Sequence, residues 1–211
     1  GGRVTDVYSE LAAKAAADVE GIAYAMSKTA SIASSAGMEF ETTSAFLTQM
    51  IETTQEAPEN IGTAMKTIIA RFTELKENVA GTEDSEFDDL DYNKVDTALK
   101  SVGISLKDAS GQFRNLDDVF LELSQKWNTL DRNSQRYIAT IAAGSRQQSR
   151  FIAMMENYDR TMELVDTAYD SAGKSSEQFA KYQDTVEYKI NQISNSWEQL
   201  RTNFFNSNTY K

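Results

Sequence analysis

The sequence predicts an all-α protein, a multi-helix bundle with a long C-terminal helix and one small β-hairpin insertion. Three observations carry that prediction. Pro58 is the only proline in 211 residues, and β-branched runs are scarce. Helix-favouring Ala, Glu, Gln, Lys and Met are abundant. Apolar residues recur at intervals of three and four along most of the chain, the period of an amphipathic helix.

Taken in order, residues 6–36 carry Val7, Leu11, Ala15, Val19, Ile22, Met26 and Ile32 at helical spacing. Gly21 interrupts the run, which predicts one broken helix or two short ones, and Gly37 supplies a stop. Residues 40–56 form a second amphipathic segment with Phe46, Leu47, Met50 and Ile51 on one face, and Thr42, Thr43 and Ser44 offer capping oxygens near its start. Pro58 suits a first helical turn and Glu59 the positive end of the helix dipole. Ile61, Met65, Ile68, Ile69, Phe72 and Leu75 then continue the pattern. Residues 81–91 hold Glu83, Asp84, Glu86, Asp88, Asp89 and Asp91 with no basic residue, an acidic linker extended by like-charge repulsion. The expected organisation is therefore a helical region over 1–80, a linker over 81–91, and a second region over 92–211 with its hairpin at 103–114.

The stretch "GISLKDASGQFRNLDDVF" (103–120) resembles a calcium loop at first sight. With Gly111 at loop position 6, Asp108 falls at 3 and Ser110 at 5, but Leu106 occupies position 1 and Asp117 position 12. An EF-hand needs an oxygen ligand first and a bidentate Glu last, so the metal reading fails. Alternation of Ile104 and Leu106 with Ser105 and Lys107, a turn at "DASG" and the return at Phe113 predict a hairpin instead. Asn115 is placed to cap the following helix, with Asp117 and Asp118 in its first turn.

A helix over 115–129 follows, then a turn at 130–134 and a helical run from Gln135 to about Tyr169. Its "AAGS" (142–145) predicts a close helix approach, and Met154, Met155 and Met162 read as core. After a break at 171–176, Phe179, Tyr182, Val186, Ile190, Ile193, Trp197, Leu200 and Phe204 are spaced 3, 4, 4, 3, 4, 3 and 4 apart. Those 26 residues would make a helix roughly 40 Å long. Its stripe, from Tyr182 to Phe204, is the candidate self-association face.

Composition excludes several classes of function. The net charge of −11 opposes binding that depends on phosphate contacts or an anionic membrane surface. Neither cysteine nor histidine is present, which removes disulfides, thiolate nucleophiles, Ser-His-Asp chemistry and the common transition-metal sites. No cofactor is implied. No apolar run is long enough to span a bilayer. Gly1-Gly2 ahead of a helical pattern already in stride reads as an addition to a fragment, so both ends are expected to be cuts in a longer protein.

Residues 98–159 resemble the core region of phage tail tape measure proteins, the minor tail protein family. The resemblance rests on the order of Gly103-Ile104, the Asp-x-x-Gly turn of Asp108 and Gly111, an amphipathic helix, and the Ala-Gly-x-Arg-Gln run of Ala143, Gly144, Arg146 and Gln147. Upstream, "AMSKTASIASSAGMEFETTSAFLTQMIE" and "ENIGTAMKTIIARF" resemble the helical part that precedes this core, while the acidic 81–91 segment departs from it. The resemblance implies a non-catalytic virion structural protein located in the tail, and in the host cytoplasm during assembly. It would lie along the tail lumen, template tube polymerisation, set tail length and leave on DNA delivery. Its implied partners are copies of itself and the tail tube, tail chaperone and tail-tip proteins. Two readings compete: a helical secreted or surface interaction protein, and a cell-wall hydrolase using carboxylates such as Glu122 and Glu156.

Overall fold

The protein is described by a computed structural model, and residues 2–73 and 92–171 are those it describes. Among these, eight helices and no strands are found: α1 (Gly2–Lys14), α2 (Val19–Ser35), α3 (Phe40–Thr54), α4 (Pro58–Thr73), α5 (Tyr92–Lys100), α6 (Leu116–Trp127), α7 (Arg132–Glu156) and α8 (Tyr158–Ser171). The acidic segment 81–91 and the stripe Tyr182, Val186, Ile190, Ile193, Trp197, Leu200 and Phe204, with the long C-terminal helix predicted for it, lie outside the described residues.

The expected break in the first run is real but lies at residues 15–18. Asp18 N-caps α2 by accepting the Gly21 N–H at 2.6 Å. Gly21 therefore sits inside the first turn, where a Cβ would meet Asp18 Oδ1 at 2.8 Å and Pro58 Cγ at 3.0 Å. Its missing side chain serves packing, not chain reversal. α2 ends as expected at Gly37, where Gly37 N–H donates to Ser34 and Met38 N–H to Ala33, the paired bonds of a Schellman stop.

α3 is the centre of the molecule. Every residue from Phe40 to Ile51 is buried, including Glu41, Thr42, Thr43, Ser44, Thr48 and Gln49. The hydroxyls expected to cap its start lie within the helix instead. Glu39 is the N-cap residue and makes no side-chain cap bond, while Thr43 and Thr48 donate to carbonyls four residues back, at 2.7 Å each. A buried hydroxyl on a helix satisfies itself this way when no water reaches it. α4 opens at Pro58, as its fixed φ and missing N–H favour.

α3 packs on α8 and α2, α2 on α4, α1 on α8, and α4 on α7. One apolar cluster draws on all eight helices, from Val4 to Tyr169. At its heart Phe46, Phe120, Phe72, Phe151 and Trp127 follow one another with ring centroids 5.0–6.3 Å apart, tying together α3, α6, α4 and α7. Of the three methionines read as core, Met154 and Met155 are fully buried and Met162 is half-buried against the same cluster.

Two predicted continuities are broken. The hairpin expected over 103–114 does not form: an isolated antiparallel bridge, Lys107 with Phe113, is all that pairs, and no strand flanks it. The apolar residues of the stretch, Ile104 and Leu106, are each buried against the helices, and Asp108 Oδ1 takes up the Gln112 N–H that a ladder would use. The helical run from 135 to 169 is divided at Asn157 and kinked at Gly144, whose φ of 77° and ψ of 170° are non-helical.

Candidate functional site

The residues on which the sequence resemblance rests occupy two joints. The first is the segment between α5 and α6. Gly103 N–H donates to Lys100 and Ile104 N–H to Leu99, and Gly103, at φ +82°, reverses the chain where a side chain would be strained. Asp108 Oδ1 then accepts from Ser110 N–H at 2.9 Å, the Ser110 hydroxyl at 2.6 Å and Gln112 N–H at 3.1 Å. The Ser110 hydroxyl, with backbone donors behind it, holds the Asp108 carboxyl below its ordinary value. Gly111 completes this turn at φ +82°. Among the described residues no cluster of carboxylates with metal-ligand spacing occurs.

The same segment is anchored to the other half of the sequence. Leu116 N–H donates to Ala36 at 3.1 Å, and Glu39 N–H donates to Asp117 Oδ2 at 3.0 Å. Asn115 stands at the N-cap position of α6, but its side chain makes no cap bond. It lies against Gly37, where a Cβ would come within 2.5 Å of Asn115 Oδ1. Asp117 is thus more than a dipole partner for α6: it joins the start of α3 to the start of α6. Arg114 extends the anchor, donating to Ser105 O at 2.9 Å and to Glu122 at 2.7 Å, with Lys126 3.5 Å from the other Glu122 oxygen.

The second joint is the kink of α7. Arg71, from α4, occupies the notch above Gly144, where a Cβ would stand 2.7 Å from its Nη2. Arg71 Nη1 donates to Ile141 O at 3.3 Å, three residues before the kink. The close approach predicted for "AAGS" is therefore made by a guanidinium. Gln147 is buried and accepts from Arg150 Nη1 at 2.6 Å, and Arg150 forks onto Glu56 through bonds of 2.7 and 2.8 Å. Arg146 lies on the exposed side of α7. The structure thus brings Gly144 and Gln147 to the interface with α3 and α4, and leaves Arg146 on the surface.

A second fork was not legible in the sequence. Arg160 of α8 holds Glu52 through bonds of 2.9 Å each and donates to Lys14 O at 2.7 Å, closing the end of α1 over α3 and α8. The arginine partners hold the Glu52 and Glu56 carboxyls below the ordinary range. These residues were missed because the partners lie 108 and 94 positions apart. Their one local signal is the i, i+4 pair of acids at the end of α3.

Of the two carboxylates considered for hydrolysis, Glu122 is held by Arg114 and Lys126, and Glu156 is exposed at the end of α7. No described helix is long and apolar enough to cross a membrane.

Fold and candidate residues together define an all-helical scaffold in which those residues fix helix ends and helix crossings. The model of the phage-related minor tail protein family matches residues 1–144, and the chain belongs to that family. The family places it among the structural components of phage tails. No solved structure matches the chain.

Proposed function

We propose that the chain is a non-catalytic segment of a phage or prophage tail tape measure protein, acting in tail assembly and tail-length determination inside the tail tube. The observation that carries this reading is the family match over residues 1–144, a span that contains Gly103, Asp108, Gly111 and Gly144. In support, those residues build joints between helices, as a segment that must hold its shape while other proteins assemble around it requires. Its partners in this reading are further copies, the tube subunits, the tail chaperone and the tail tip, and the Tyr182–Phe204 stripe is an interaction face for them.

The test is genetic. In-frame removal of helical turns from the full-length gene, outside the 2–171 region, should shorten tails by about 1.5 Å per residue, read by electron microscopy of the particles. Tails of unchanged length would overturn the length-setting reading and leave family membership intact.

A further inference from the structure

In a chain of net charge −11, one helix face carries no carboxylate. Arg132, Asn133, Arg136, Tyr137 and Thr140 of α7 are all exposed, and at 100° per residue they fall within an arc of about 140°. Tyr137 is 53% exposed, more than any other large hydrophobic residue described. Neither Arg132 nor Arg136 enters an ion pair among the described residues. The neighbouring Asp131 is spent on the Ser134 N–H and hydroxyl, at 2.7 and 3.1 Å.

The opposite feature lies between α1 and α8. There Asp6, Glu10 and Asp170, with Lys14, Ser9 and Thr167, line a cleft of about 410 Å³. Three carboxylates against one ammonium leave a formal −2, opposed to the +2 of the stripe. Burial, and then the charge of Asp166, push the Asp170 carboxyl up, while Lys14 opposes them.

We propose that a second copy of the chain seats its Arg132–Arg136–Tyr137 stripe in the α1–α8 cleft, head to tail. The charges are complementary, and Arg and Tyr are among the side chains enriched at interface hot spots. The cleft is within the size range that takes a planar group. α7 packs on α3, α4, α5 and α6, whereas the cleft lies between α1 and α8, so the contact joins two molecules. Unlike surfaces meeting in this way leave one free stripe and one free cleft on each pair, and copies add until a ring closes or a filament grows. The proposal takes its biological setting from the tail-assembly reading but is tested on purified protein, so either can fail alone.

Sedimentation equilibrium of the 211-residue chain in about 0.1 M salt, where net repulsion is screened over about 10 Å, should show mass rising with concentration beyond a dimer. About 1 M salt should return it towards monomer. An Arg132→Glu/Arg136→Glu variant, with its cleft intact, and an Asp6→Asn/Glu10→Gln variant, with its stripe intact, should each remain monomeric. Mixed, the two should form one-to-one pairs and nothing larger, which only a two-surface contact produces and which also verifies that both variants fold. Tyr137→Ala should weaken association at least ten-fold. A monomeric parent chain at high concentration, or association untouched by both variants, would overturn the proposal.

Discussion

At Gly144 two requirements fall on one residue. Its backbone takes a φ and ψ that a side chain does not tolerate, and its missing Cβ leaves the space that Arg71 fills. Gly144→Ala should therefore cost about 2–4 kcal/mol in urea unfolding. Adding Arg71→Ala should recover only the steric part, since the backbone cost stays. Asp108 makes a different prediction. Its carboxyl, held down by Ser110 and Gln112 donors, should titrate by NMR below the ordinary 3.8. The sign follows from a folded value lower than the unfolded one. The turn gains stability above about pH 3.8, and that gain is lost as pH falls through the folded value.

Between elements, contacts are set by small residues and by arginine forks. A Cβ on Gly62 would lie 2.9 Å from Ala25 O and from Lys28 Cβ, so α4 meets the backbone of α2 directly. Gly62→Ala should force the two helices apart and cost about 1–3 kcal/mol. Arg160→Ala removes the bonds to Glu52, Glu163 and Lys14 O together. Because the ion pair is about 31% and 24% exposed, a loss of about 1–2 kcal/mol is expected, read by thermal melting. The position of these forks was not legible in the sequence, because periodicity shows which face of a helix is apolar and not which distant helix supplies a charge.

Across the whole molecule the aromatic chain from Phe46 to Trp127 joins residues from both sides of the 81–91 segment. Phe120 contacts rings from α3 and α4 and is fully buried, so Phe120→Ala should cost about 3–5 kcal/mol. A core shared in this way also bears on the division of the chain at 81–91. In a Trp197→Phe variant, Trp127 fluorescence and far-UV circular dichroism should report one coincident transition. Two separated transitions would favour independent halves.

The sequence by itself determined the helical class, the helix starts at Pro58 and near Asn115, the stop at Gly37, and the Asp108–Gly111 turn. Each of these depends on a residue's own backbone preference or on neighbours a few positions away. It also carried the motif order on which the family resemblance stands. Tertiary structure decided what local signals leave open. It turned an alternating stretch into a single bridge, because burying Ile104 and Leu106 against helices satisfied them without a partner strand. It placed a polar helix, α3, at the centre, where the Thr43 and Thr48 hydroxyls bond back to carbonyls of the preceding turn. It bent α7 at Gly144, where a guanidinium 73 residues upstream takes the space that a continuous helix would need. Each of those outcomes is a competition between distant groups, and only the folded chain brings the competitors together.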